Sequence, residues 1–261
     1  MLKKILILIF IGSLGANFFS IYVLDKALFY RKNLTHIEQR FPNEGLHIRN
    51  VKKISTSGFD KIAVFIGGSF VKFWFFPEDL PVKIFNQGGL EEKISTDYDK
   101  LKEKIIGSNV DYLFINSGFC EIHTAIQSGK DPEDAINHNF ELFKKIVQSA
   151  LNDSIIPIIT TLTPVRPVFL LPYSRLFSIG SDKKNQENKA LEKYNNMIRN
   201  YAFDNNLFLI DFNAAVKDKE GLLKKEFSIT DGEHLDIEGY HFLDNFLRQE
   251  ITRILNKQLQ K

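Results

Sequence analysis

Five short apolar runs, each closed by glycine or a small polar residue, constrain this chain most. They are KIAVFI (61–66), VKIF (82–85), VDYLFINS (110–117), IIPIIT (155–160) and LFLIDF (207–212). The first stops at Gly67-Gly68, the second at Asn86 and Gly88, the third at Gly118. Apolar runs of this length, bounded by turn residues, read as strands buried on both faces. The stretches between them carry helical spacing instead. Within Glu91–Ile106, Ile94, Tyr98, Leu101 and Ile105 recur every three or four residues. Pro132–Leu151 follows a capping Asp131, and Gln186–Asn205 and Ile237–Leu259 complete the set. Strands that alternate with helices predict an α/β three-layer sandwich, about five parallel strands between two helix layers. Ligands of such sheets sit beyond the carboxyl ends of the strands, so chemistry is sought just after each run.

The N-terminus follows another pattern. Ile5–Leu24 is 20 residues without a charge, behind Lys3 and Lys4. That is the length of an apolar helix spanning a bilayer, ~20 residues. A cleaved signal peptide is the rival reading, with Ser13 and Gly15 placed like a cleavage site. The run continues through Phe18, Phe19, Ile21 and Val23, which favours an uncleaved hydrophobic helix as membrane anchor. A buried core helix is the third reading. Either of the first two exports the rest. Residues 1–24 are thus expected to be anchor or signal, 25–60 a polar stalk and lead-in, and 61–261 the α/β domain. With 34 basic and 32 acidic residues the chain has no nucleic-acid footprint. Its one cysteine, Cys120, forms no intrachain disulfide, and the six histidines show no metal-type spacing. No cofactor is implied.

Three strand ends carry candidate chemistry. Ser69 follows two glycines after the first strand, where a sharp turn can project it over the sheet edge. The surrounding residues match neither a phosphate loop, which needs G-K-[ST], nor the G-x-S-x-G elbow, because Val71 takes the last glycine's place. Asn86, Gly88 and Gly89 follow the second strand; Gly118, Cys120 and Glu121 follow the third. Near the C-terminus, TDGEHLDIEGYHF sets Asp231 three residues before His234. Such a pair can be a helix cap with an idle histidine. It can equally be a base with the carboxylate that orients it. With Ser69 as nucleophile, the second reading gives a full Ser-His-Asp set, and strand-end N–H groups could supply an oxyanion hole.

Over about residues 61–258 these motifs resemble the SGNH (GDSL-type) hydrolases. GGS resembles the family's G-D-S block, with Gly68 in place of Asp. NQGG resembles the second block, SGFCE falls at the third, and DGEHLDIEGY is close to the last. The resemblance implies a flavodoxin-like SGNH fold and a serine esterase with Ser69, Asp231 and His234 catalytic. It also implies an oxyanion hole from Ser69, Gly88 or Gly89, and the residue at Cys120. The family's asparagine donor falls at Cys120, and a thiol donates weakly; Asn116 is a substitute to consider. The implied substrate is an acylated carbohydrate of the cell envelope or a secreted polysaccharide, or a lipid ester. An O-acyltransferase or a non-catalytic SGNH-fold binding protein remains the alternative. Three further features are weighed: a proline-rich loop over 163–182 as a lid, an acyl pocket or a loop packed on the body, Arg166 as an anion contact or surface residue, and Trp74 as a sugar platform or core residue.

Overall fold

The computed structural model describes residues 61–167, 179–229 and 231–260. The expected anchor and stalk, residues 1–60, lie outside them, as do residues 168–178 of the proline-rich loop. Among the described residues no helix is long and apolar enough to cross a membrane.

Five parallel strands form one sheet: β1 (Ile62–Gly67), β2 (Lys83–Asn86), β3 (Tyr112–Asn116), β4 (Ile156–Thr160) and β5 (Phe208–Ile210). Their order is β2-β1-β3-β4-β5. The chain leaves β1 toward one side and returns through β3 on the other, so the topology reverses between these two strands. A reversal opens a crevice at the carboxyl edge, where ligands settle. There Gly67 pairs in register with Asn116.

Strand alternation divides the core in two. Ile62, Val64 and Ile66 of β1 join an aliphatic cluster with Leu113, Ile115 and Ile159. Over it pack α2 (Ile94–Lys100), α3 (Phe119–Gln127), α4 (Glu133–Asn152) and α5 (Ile179–Asp204). Ala63 and Phe65 point the other way, into an aromatic cluster with Phe114, Trp74 and Phe212. That face is covered by α1 (Ser69–Lys72), α6 (Phe212–Val216) and α7 (Ile237–Leu259). Phe65 stacks on Phe114 with ring centres 5.2 Å apart and on Phe76 at 5.3 Å. Each fully buried phenylalanine adds about 1.5–3 kcal/mol of burial, so the many phenylalanines have a structural use here.

The elements differ from the sequence expectation at their ends and in the shortest pieces. Helix α2 widens into a π turn over Leu101–Ile105 instead of running on to Ile106 as α-helix. Helix α5 begins seven residues before Gln186. Phe212 leaves the fifth strand to start α6, because Asp211 caps that helix by accepting from the Ala214 N–H. Helices α1, α3 and α6 span 4, 9 and 5 residues, too short for a reliable 3.6-residue period.

Candidate active site

Ser69 opens α1, directly beyond β1. The turn into it requires Gly67, whose φ is +152° and whose missing Cβ would lie 2.8 Å from Val71 Cγ2 and against the Asn116 carbonyl. As the first residue of a helix, Ser69 has no intrahelical carbonyl for its N–H. Asn86, at the end of β2, holds the short helix from below: its Nδ2 donates to the carbonyls of Val71 (2.6 Å) and Trp74 (2.9 Å).

The loop before α7 brings His234 and Asp231 to Ser69. His234 Nε2 lies 2.8 Å from Ser69 Oγ, and Nδ1 lies 2.7 Å from Asp231 Oδ2. An ionised carboxylate only accepts, which assigns the proton to Nδ1 and leaves Nε2 to accept from the hydroxyl. Asp231 Oδ1 also takes the N–H groups of Glu233 (2.8 Å) and His234 (3.0 Å). Burial pushes the Asp231 carboxyl up, but the His234 ring and these N–H groups outweigh it and hold the pKa below the ordinary value. The capping alternative is resolved by a neighbour. Asp236 caps α7, accepting from the Gly239 N–H at 2.8 Å, so Asp231 is left to the histidine. Phe73 packs its ring edge-on against His234, with centres 5.4 Å apart.

The expected oxyanion donors fare unequally. The Gly88 N–H donates to Asn86 Oδ1 at 2.9 Å, and the Gly89 N–H to the Gly67 carbonyl at 2.9 Å. The Gly88 amide therefore closes the β2 loop on itself, and the Gly89 amide ties that loop to the end of β1. Gly88 is needed for close approach instead, since a Cβ there would lie 2.8 Å from the Val71 carbonyl carbon. Asn116 spends its amide on Thr160 Oγ1 (2.8 Å) and the Thr161 carbonyl (3.0 Å), which rules out the substitution considered for it. Cys120 does reach the site, as the second residue of α3 and not at a strand end. Its Sγ would be 3.9 Å from a Cβ on Gly68, and it lines one cavity with Ser69 and His234. Burial, then the nearby carboxylates led by Glu121, push its thiol up to about 12. A neutral thiol is no nucleophile at neutral pH.

That cavity measures about 30 Å³; Phe70, Phe119 and Leu162 give its wall an apolar side, and Asn116, Thr163 and Glu233 add polar groups. One water needs roughly 10–15 Å³ of such space, so the cavity holds a group the size of two or three waters. Arg166, by contrast, has its guanidinium already engaged. It donates to the Leu223 carbonyl at 2.5 Å and pairs with Asp218, pinning the start of the proline-rich loop. Trp74 is a core residue, 2% exposed, donating to Asp244 Oδ1 at 2.8 Å.

The sequence reading missed a polar cluster beside the cavity. His123 on α3, Glu187 on α5 and Glu233 offer ligand atoms within 4.8 Å of one another. Lys184 lies among them, pairing with both Glu187 and Glu233, so an ammonium already neutralises the carboxylates a metal would use. Nothing in the local sequence announces this cluster, because its members come from three separate segments.

The fold is an α/β sandwich similar to that of GDSL-like esterases of known structure. No family model and no curated protein matches the sequence, and the likeness lies with solved structures. A GDSL-like lipase from Bacteroides thetaiotaomicron superposes with a TM-score of 0.58 at 19% identity, over 74% of this chain and 89% of that one. An acetylxylan esterase from Geobacillus stearothermophilus gives 0.55 at 13% identity, over 74% of this chain and 95% of that one. Identities this low establish the fold alone.

Proposed function

We propose that the chain is a serine ester hydrolase that removes a short acyl group, acetyl in the first place, from an alcohol. The observation that carries this is the continuous hydrogen-bonded line from Ser69 Oγ through His234 to Asp231 Oδ2, at 2.8 and 2.7 Å. In this reading Ser69 Oγ attacks the ester carbonyl while His234 Nε2 takes its proton. Asp231 steadies the imidazolium, and the Ser69 N–H stabilises the developing oxyanion, helped weakly by the Cys120 thiol. The protonated His234 then releases the alcohol, leaving an acyl-Ser69. Water, activated by the same histidine, frees the acid.

The small cavity beside Ser69 favours acetyl over a long acyl chain. The named activity of the acetylxylan esterase neighbour points the same way and adds an acetylated carbohydrate as the first substrate class to try. The uncharged run Ile5–Leu24 supports placing the hydrolase outside the cytoplasm, tethered by its N-terminus. The test is hydrolysis of p-nitrophenyl esters from acetate upward by the full chain in detergent. Activity should fall with chain length and vanish in Ser69→Ala. Undiminished activity in Ser69→Ala would remove the serine mechanism. For the tether, the chain should stay with membranes in high salt and leave them in detergent.

A further inference from the structure

Beside the cavity stands a polar group that the chemistry of Ser69 does not use. His123 lies one helical turn beyond Phe119 on α3, and their rings stack with centres 5.7 Å apart. Phe119 and Glu233 both line the cavity. His123 Nδ1 is 2.7 Å from Glu187 Oε1 and 3.6 Å from Glu233 Oε1. Glu187 is fully buried, and its other oxygen takes the Lys184 ammonium at 3.2 Å. Withdrawing a carboxylate from water is expensive, and an apolar residue would fill the space between α3 and α5 without that cost. What the carboxylate accomplishes is orientation. It takes the Nδ1 proton and locks the ring, leaving Nε2 with no partner among the described residues on a side chain 29% exposed. Glu233 Oε2 is likewise without a partner among the described residues, on a side chain 20% exposed. The hydrogen bond to Glu187 raises the pKa of His123, outweighing burial, which favours Nε2 as a donor. The Lys184 ammonium already pairs with both carboxylates, so the group does not suit a metal ion. Its open ring nitrogen and open carboxylate oxygen suit a hydroxyl, which can donate and accept at once.

We propose that His123 and Glu233 form an acceptor-side subsite that binds hydroxyls of a carbohydrate while its ester carbonyl lies at Ser69. The ester of a monohydric aliphatic alcohol has no free hydroxyl left and would cover both polar groups unpaired, which disfavours it. The subsite rests on the ester-hydrolase reading and adds the alcohol to it.

The test compares methyl 6-O-acetyl-glucopyranoside with p-nitrophenyl acetate, which share the acyl group and differ in free hydroxyls. The wild-type chain, Glu233→Gln and His123→Gln are assayed, each with a thermal melt. The ratio of kcat/KM between the sugar ester and the phenyl ester should drop about tenfold or more in each variant, mainly through KM, the size of one charge-assisted hydrogen bond. Where His123→Gln fails to fold because Glu187 loses its partner, His123→Gln with Glu187→Gln replaces the ion pair by an amide pair and carries the test. An unchanged ratio in folded variants overturns the subsite and leaves the ester hydrolase standing, as does an equal loss on both esters. A wild-type chain that cleaves neither ester removes both readings.

Discussion

Asp231 and Asp97 are both withdrawn from water near the carboxyl edge of the sheet, yet they end in opposite charge states. Asp231 receives the His234 ring and two backbone N–H groups, and its pKa lies below the ordinary carboxylate value. Asp97, on α2, is 0% exposed and receives the Ser117 hydroxyl at 2.5 Å. Its Oδ1 has no hydrogen-bond partner among the described residues. Burial first, then the Glu92 and Glu121 carboxylates, outweigh Ser117 and Lys100 and lift it to about 8. Depth alone does not decide whether a carboxyl is ionised; the donors aimed at it do. One aspartate is kept charged beside a base, while the other is kept protonated inside the fold.

Substitutions can break this contrast. The reference is Ser69→Ala or His234→Ala, for which esterase activity should fall on the order of 10⁴-fold or more with little change in melting temperature. Asp231→Asn should follow closely, by as much as ~10⁴-fold in turnover, because an amide can present the wrong partner to Nδ1 and leave the histidine in the wrong tautomer. A fall of only a few-fold would mean that the charge of Asp231 does not serve His234.

Asp97→Asn should do the reverse, sparing turnover and changing the pH dependence of stability. Folded Asp97 holds its proton up to about 8, whereas an ordinary aspartate loses it near 3.8. Between those values folding takes up a proton, so this contribution is full at acid pH and is lost as pH rises toward 8. Asp231 has the opposite sign: its contribution is present above the ordinary carboxylate pKa and is lost on acidification. In urea unfolding, Asp97→Asn should gain on the wild type steadily as pH rises from about 4 to about 8, by roughly 1 kcal/mol or more over that range. A parallel pair of stability curves would show Asp97 to be ionised in the fold.

Cys120→Asn is expected to have the smallest effect. A better donor beside the oxyanion should hold or raise turnover by up to ~10-fold, short of the ~10²–10³ of a well-aimed donor. Cys120→Ala should lose little. A collapse in folded Cys120→Ala would give the thiol a direct chemical role and sharpen the site in a different direction. Asparagine is larger than cysteine, so a melt must accompany the assay to separate overpacking from chemistry.

Most of the sheet was legible because buried parallel strands are written as uninterrupted apolar runs, and β1 to β4 stand within a residue or two of those runs. The long helices were legible through their spacing. The short helices α1, α3 and α6 were not, since one or two turns carry no readable period, and α3 is the one that brings Cys120 and His123 to the cavity. Asn86 was read for its backbone alone. Its side-chain bonds to Val71 and Trp74 span 15 and 12 residues, and no local pattern signals them.

By itself, the sequence determined the alternation of strands and helices, the glycine that lets Ser69 turn over the edge, and the presence of an acid three residues before a histidine. These are local matters of hydrophobic period, backbone freedom and spacing along the chain. Tertiary structure decided which acid does which work. Asp236 caps α7 and releases Asp231 to His234; the Gly88 and Gly89 amides are taken up by Asn86 and Gly67; Glu187 meets His123 across 64 residues. A polar group's role follows from which partners reach it once water has gone, and those partners are chosen by packing between segments far apart in the chain.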